Sequence, residues 1–217
     1  MARDNSASSK PNSLVQSYLV AYNLVSFLGW GWILYSTVSE LILTGGQYEG
    51  VASIVWKPLT WVQTAAVFEV IHAALGLVRA PLSTTFMQVL SRLFLVWGVN
   101  AVFPEIHTHW SFSTMMVAWS IAECVRYSYY VFNLTSSVPA ILIWARYTMF
   151  LVLYPMGVGS ELTMVYQSLP YAKEFNPMYY YGLIIISLVY LPGFPILLSH
   201  MFAQRRKYLR GTAKKTQ

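Results

Sequence analysis

The sequence predicts an all-α integral membrane protein, a bundle of six transmembrane helices. Of its 217 residues, 56% are hydrophobic and only 10% are charged, whereas a soluble domain carries about 25% charged residues. Six apolar windows each reach the roughly 20 residues that a helix needs to cross a bilayer. Tyrosine, phenylalanine and tryptophan number 16, 11 and 8, which is typical of the aromatic belts at membrane interfaces.

The six windows follow one another with short connections. We expect the spans at about residues 17–43, 58–78, 83–103, 112–134, 138–167 and 178–200. Pro58 is expected in the first turn of the second span, where its missing N–H has no consequence. Pro81 closes the second span and Pro104 stops the third, and residues 135–137 are all that separates the fourth from the fifth. The spans form one domain, residues 17–203, between a polar tail, 1–16, and a basic tail, 204–217.

The positive charge of the chain lies largely at its C-terminus. The net charge is +6, and six of the basic residues occupy the last thirteen positions: Arg205, Arg206, Lys207, Arg210, Lys214 and Lys215. Such a tail beside a membrane indicates a cytosolic C-terminus, not a nucleic-acid partner. With six spans the N-terminus is then also cytosolic. Lys214 and Lys215 resemble a di-lysine retrieval signal of the endoplasmic reticulum, although a plain basic tail is the alternative.

Seven charged side chains fall within or at the ends of the second to fifth spans: Glu69, Arg79, Arg92, Glu123, Arg126, Arg146 and Glu161. Each costs about 2.5–3.5 kcal/mol at a helix centre, so they mark function or internal pairing. Arg92, Arg126 and Arg146 lie at a similar depth in the membrane. They either line a cavity that attracts an anionic substrate, or pair with Glu69, Glu123 or a backbone carbonyl. The sequence leaves both interpretations open. Glu123 and Arg126, three residues apart, share a helix face and can pair.

The fifth span carries a second unusual combination. Tyr154 and Glu161 are seven residues apart and project from nearly the same face, about 10 Å apart along the helix. Between them Pro155, with Gly157 and Gly159, predicts a bend at this point. A glutamate in apolar surroundings can act as a general base, and a tyrosine can donate to a departing oxygen. The pair therefore suits proton abstraction beside a carbonyl with loss of hydroxide, and a packing kink is the alternative.

Other chemistries are excluded by what the sequence lacks. One cysteine, Cys124, allows neither an intrachain disulfide nor a multi-cysteine metal site. Four histidines are too few for a membrane di-iron desaturase, and residues 157–160 do not form the Gly-x-Ser-x-Gly elbow of a serine hydrolase. Residues 72–79 have the His-Cys-x5-Arg frame of tyrosine phosphatases, but Ala73 stands in place of the nucleophile. We therefore expect no metal site and no phosphatase activity.

These residues carry a family resemblance. The chain resembles the 3-hydroxyacyl-CoA dehydratases of very-long-chain fatty acid elongation, also called the protein tyrosine phosphatase-like A family. The similarity extends over about residues 18–210. The matching segments are residues 69–81, which include the phosphatase-like frame without its cysteine, and residues 88–92, 119–123, 126–130, 146–161, 190–195 and 204–207.

The resemblance implies a fold and an activity. The family is a six-helix bundle of the endoplasmic reticulum membrane, multi-pass, with both termini cytosolic. Its members dehydrate a long-chain (3R)-3-hydroxyacyl-CoA to a trans-2-enoyl-CoA, the third step of elongation, and use no cofactor. Family partners are the elongase condensing enzyme, the ketoacyl-CoA reductase and the enoyl-CoA reductase. A non-catalytic scaffold or transporter associated with these enzymes is the alternative function.

The resemblance also implies site residues. The family motif Tyr-Pro-x-Gly-x-x-Ser-Glu places its catalytic pair at Tyr154 and Glu161, without deciding which is the acid and which the base. We expect Glu69 and Glu123 to support the site as intramembrane acids. The residues expected to contact the CoA phosphates or the thioester are Arg79, Arg92, Arg126, Arg146, Tyr147 and Ser160.

Overall fold

A computed structural model describes residues 13–213, and this part of the chain is helical throughout apart from short connections. Its α-helices are α1 (Ser13–Leu43), α2 (Val51–Ala65), α3 (Val67–Ala74), α4 (Leu82–Leu93), α5 (Trp110–Thr135), α6 (Ala140–Thr148), α7 (Phe150–Phe175) and α8 (Pro177–Ala213). A π-helical segment, Phe94–Asn100, continues α4, and a 3₁₀ segment, Pro104–Thr108, precedes α5. Most of the expected polar tail, as well as Lys214 and Lys215, lies outside the described residues.

Within residues 13–213, three helical stretches are long and apolar enough to cross a membrane: Ser13–Leu43, Leu82–Asn100 and Pro177–Arg206. The bent pair α6 and α7 makes a fourth if it is one span. The second and fourth expected spans, residues 58–78 and 112–134, do not form helices that are both long enough and apolar enough to be recognised as spans. The second is divided at Ala66 into α2 and α3, and α5 carries charged and hydroxyl side chains along its length.

The apolar outer surface fits a membrane protein. On α8, more than half of the side-chain surface is exposed at Tyr181, Ile185, Leu188, Val189 and Ile196. Soluble monomers rarely expose contiguous apolar patches larger than a few hundred Å². These side chains recur at helical spacing along one helix, so α8 presents an exposed apolar stripe that suits contact with lipid.

The interior is organised around α5, which packs against α1 on one side and α7 on the other. Its buried side chains Phe112, Met115, Met116 and Trp119 belong to the main hydrophobic cluster. Helix α1 also approaches α2 closely, because a Cβ atom at Gly29 would lie 2.7 Å from Val62 Cγ2. The charged pair Glu123 and Arg126 therefore lies on a helix that protein encloses on two sides.

Helix α2 begins earlier than expected. It starts at Val51, so Pro58 lies in its interior and not in its first turn. Val51, Val55 and Leu59 recur every fourth residue and are fully buried. Burial of this stripe supports the additional turns and outweighs the backbone hydrogen bond that Pro58 cannot make.

The bend in the fifth predicted span also differs in position. Helix α7 continues through Pro155, and the 46° bend lies at Met149, between α6 and α7. A proline restricts the residue before it and clashes with the carbonyl four residues earlier, so distortion falls on its N-terminal side. As a result, Tyr154 and Glu161 lie on one unbroken helix.

Candidate active site

Glu161 lies near the middle of α7, between α5 and α8. It is 11 residues from Phe150 and 14 from Phe175, or about 16 and 21 Å along the helix. Its Oε1 atom accepts a hydrogen bond from Trp119 Nε1 at 2.9 Å. Its Oε2 atom accepts one from the Tyr190 hydroxyl at 3.1 Å. Two neutral donors from two neighbouring helices therefore hold this partly buried carboxylate.

Tyr154 lies two turns before Glu161 on the same helix. Its ring stacks on Phe194 of α8, with centroids 5.1 Å apart and planes 3° apart. Among the residues described, the Tyr154 hydroxyl has no hydrogen-bond partner. Stacking fixes the ring and leaves the hydroxyl free to donate to a bound molecule.

A cluster of two acids and two arginines lies beside this pair. Arg126 Nη1 and Nη2 bond the two carboxylate oxygens of Glu69 at 2.6 and 2.8 Å, and its Nε bonds Glu123 Oε2 at 2.8 Å. Arg92 Nη1 pairs with the other oxygen of Glu123. The Tyr127 hydroxyl also donates to Glu69. Of the two interpretations of these arginines, pairing with acids holds for Arg92 and Arg126, and the predicted Glu123–Arg126 pair is confirmed.

The cluster reaches Glu161 through an indole ring. The Arg92 guanidinium lies 4.9 Å from the centroid of the Trp119 ring, a cation–π contact. Trp119 in turn donates to Glu161. The side chains of Arg92 and Arg126 are 26% and 27% exposed, so both arginines keep one accessible side while they pair.

Arg146 and Tyr147 make aromatic contacts. The Arg146 guanidinium lies over Tyr129 and Tyr130, 4.4 and 5.5 Å from their ring centroids, and pairs with no acid in the described chain. Tyr147 stacks on Tyr208 with centroids 4.8 Å apart. This contact ties the C-terminal part of α8 to α6.

The last two predicted contact residues lie apart from the acid cluster. Arg79 is exposed in the loop between α3 and α4. Ser160 is buried and its hydroxyl bonds Thr114 Oγ1 and the Met156 carbonyl oxygen, each at 2.7 Å. Ser160 therefore joins α7 to α5.

Two cavities open at opposite ends of the bundle. One, of about 490 Å³, lies between the start of α1 and the end of α5, and the other, of about 300 Å³, lies where the π-helical segment meets α7 and α8. Neither is lined by Tyr154 or Glu161.

The sequence profile of one protein family, the protein tyrosine phosphatase-like protein family PTPLA, matches residues 63–211 of this chain. The chain belongs to this family. Curated relatives extend the similarity across most of the chain and agree on one name. The very-long-chain (3R)-3-hydroxyacyl-CoA dehydratase hpo-8 of Caenorhabditis elegans is 43% identical over 220 residues, covering 94% of this chain and 99% of the nematode protein.

Two further relatives of the family carry the same description. The very-long-chain (3R)-3-hydroxyacyl-CoA dehydratase 2 of Homo sapiens is 40% identical over 212 residues, 92% of this chain and 83% of the human protein. The rice enzyme PASTICCINO 2B, named for the same activity, is 40% identical over 206 residues, 88% of this chain and 92% of the rice protein. No solved structure is significantly similar to this chain.

Sequence reasoning missed three residues that surround the predicted pair of Tyr154 and Glu161, namely Trp119, Tyr190 and Phe194. They contact this pair from 42, 29 and 40 positions away in the chain. Trp119 begins one family-like segment, and Tyr190 and Phe194 belong to another. That clustering was the available signal, but local spacing cannot tell which of these side chains meets Glu161.

Proposed function

We propose that this protein removes water from a long-chain (3R)-3-hydroxyacyl-CoA to give a trans-2-enoyl-CoA, with Glu161 as base and Tyr154 as acid. One observation carries the assignment. Of the acids Glu69, Glu123 and Glu161, the first two are bonded to arginines, whereas the contacts described for Glu161 come from neutral donors. The names of the PTPLA relatives support the substrate class.

The kind of donor decides which acid can act as a base. An arginine beside a carboxylate stabilises its negative charge and makes it a poorer proton acceptor. Neutral N–H and O–H donors hold Glu161 in place with less compensation of its charge. Glu69 and Glu123 therefore serve as counterions to the arginines, and Glu161 is left to accept a proton.

The reaction balances with these two side chains. A Glu161 oxygen takes a proton from C2 of the substrate, and the electrons of that C–H bond form the C2–C3 double bond. The C3–O bond breaks, and the Tyr154 hydroxyl protonates the departing hydroxide to give water. Proton exchange with water then returns Glu161 to its carboxylate form and Tyr154 to its hydroxyl form, which restores the starting state. Acid–base assistance of this kind contributes about 10²–10⁴-fold.

We assign the basic residues different tasks. Arg126 donates hydrogen bonds from Nε, Nη1 and Nη2 to Glu69 and Glu123. Its task is therefore to hold the cluster of acids and arginines together. Arg92 uses Nη1 on Glu123 and keeps other N–H groups that can orient the thioester carbonyl. Arg79 and Arg146, which pair with no described acid, are placed to attract the CoA phosphates.

We also propose that the PTPLA bundle crosses the endoplasmic reticulum membrane six times, with both termini cytosolic. Helix α5 is too polar to be recognised as a span by composition, but α1 and α7 flank it. Its polar side chains then meet protein and not hydrocarbon, as intramembrane ionisable groups require. The basic C-terminus favours the cytosolic side. Its 3-hydroxyacyl-CoA substrate would come from the ketoacyl-CoA reductase and its enoyl-CoA product would pass to the enoyl-CoA reductase, and the elongase condensing enzyme would be a further partner in the same cycle.

The test uses the purified protein in detergent with 3-hydroxypalmitoyl-CoA and no added cofactor. The wild type is expected to form the enoyl-CoA, and Tyr154→Phe is expected to lower kcat by about 10²-fold or more. Tyr166→Phe, which removes the hydroxyl of an exposed tyrosine on the same helix, is the matched control. A scaffold or transporter would form no enoyl-CoA, and wild-type protein that folds but forms none would refute the proposal.

A further inference from the structure

We infer that Trp119 and Tyr190 are positioning residues that hold the carboxylate of Glu161 in its reactive, ionised geometry. The inference rests on the proposed function and assigns two side chains that touch the base. Neither has to contact the substrate, since both act through Glu161.

The two donors meet different oxygens from different helices. Trp119 on α5 bonds Oε1, and Tyr190 on α8 bonds Oε2. A carboxylate has about four lone-pair positions, so two remain available for a substrate proton. Rotation of the carboxylate group about its terminal bond would break both hydrogen bonds at once, and the two donors therefore fix its orientation.

The Trp119 donor is itself held in place. Its side chain is buried, and its ring meets Trp30 edge to face with centroids 6.5 Å apart. The Arg92 guanidinium lies over the same ring at 4.9 Å and is anchored by Glu123. The indole N–H is thus fixed before any substrate arrives, as a reactive group that must be placed within about 0.5 Å requires.

Loss of a donor should affect catalysis more than binding. The two donors fix the orientation of the Glu161 carboxylate, and a base that is free to rotate spends less time in the reactive geometry, so Trp119→Phe or Tyr190→Phe is expected to lower kcat about tenfold or more. KM should change little. The acid side of the kcat/KM profile should move to higher pH, because Glu161 then gains its negative charge less readily.

The experiment compares the pH profiles of wild type, Trp119→Phe and Tyr190→Phe with two matched controls. Trp61→Phe on α2 and Tyr181→Phe on α8 make the same chemical changes at side chains that are 78% and 63% exposed. Thermal unfolding of each variant shows how much protein is folded. If Trp119→Phe does not fold, benzothienylalanine at position 119 keeps the fused-ring shape without the N–H.

The outcomes separate this inference from the proposed function. We expect lower kcat and a shifted acid limb in both site variants, and wild-type profiles in both controls. Folded site variants with wild-type kcat and pH profile, alongside an active wild type and an inactive Glu161→Gln, would overturn the positioning role alone. An inactive, folded wild type would overturn the proposed function itself.

Discussion

Replacing Glu123 by glutamine should destabilise the protein through two arginines at once. The buried Glu123 carboxylate bonds Arg126 through Oε2 at 2.8 Å and pairs with Arg92 through Oε1. Arg126 keeps Glu69 as a counterion in the variant, but Arg92 pairs with no other acid in the described chain. The substitution therefore leaves one cation of the interior uncompensated.

The magnitude follows from this geometry. Removing one partner of a buried ion pair costs about 3–5 kcal/mol. The Arg92 and Arg126 side chains are 26% and 27% exposed, so partial solvation places the expected loss at the lower end, about 3 kcal/mol. For a chain of this length, each kcal/mol lowers the midpoint of thermal unfolding by roughly 2–4 °C. Glu123→Gln should thus unfold about 6–12 °C below the wild type.

The assay is thermal unfolding of purified protein in one detergent. Glu105→Gln is the matched control, because Glu105 is exposed and forms no ion pair in the described structure. Adding Arg92→Gln to Glu123→Gln removes the unpaired cation, so the double variant should lose less stability than the two single losses combined. A Glu123→Gln midpoint equal to that of the control would show that the acid–arginine cluster does not stabilise the bundle.

Two further perturbations test the packing and the loop before α5. Gly29→Ala should lower the free energy of unfolding by about 1–3 kcal/mol, because the new Cβ atom would lie 2.7 Å from the stiff Val62 side chain. Gly31→Ala is the control, since a Cβ atom there would meet nothing within 4 Å, and it should be neutral or slightly stabilising. Equal unfolding midpoints for the two variants would contradict the contact between Gly29 and Val62. Burial lowers the pKa of His107 from its usual 6.5, despite the opposing effect of the nearby Glu105. The unfolded state then binds the proton more readily, so the stability due to a neutral His107 is present above about pH 6.5 and is lost as the pH falls below it. His107→Gln should reduce the difference between the unfolding midpoints at about pH 7.5 and about pH 5, and an unchanged difference would count against this role.

The sequence was informative where the deciding interactions are local. Hydrophobic windows located the helical segments, and a spacing of three placed Glu123 beside Arg126. The sequence was less reliable where tertiary packing decides where a helix begins or bends. The buried stripe of Val51, Val55 and Leu59 extends α2 past Pro58, and the bend expected at Pro155 lies at Met149.

The environment of the proposed catalytic pair, Tyr154 and Glu161, depends on long-range contacts. That Tyr154 and Glu161 lie on one helix face could be predicted from their spacing of seven residues. The donors to Glu161 could not, because Trp119 and Tyr190 come from other helices and local spacing does not tell which aromatic side chain meets Glu161. The same holds for Arg92, whose stacking on Trp119 requires α4 to be placed against α5.

The most direct test of the account compares Glu161→Gln with wild type in the formation of enoyl-CoA from 3-hydroxypalmitoyl-CoA, per mole of folded protein. Glutamine keeps the shape of the side chain and a carbonyl oxygen for one of its two donors, but it cannot accept the substrate proton. We expect kcat to fall by about 10²-fold or more while the unfolding midpoint stays close to that of the wild type. Near-normal turnover by folded Glu161→Gln would contradict the assignment of Glu161 as the base.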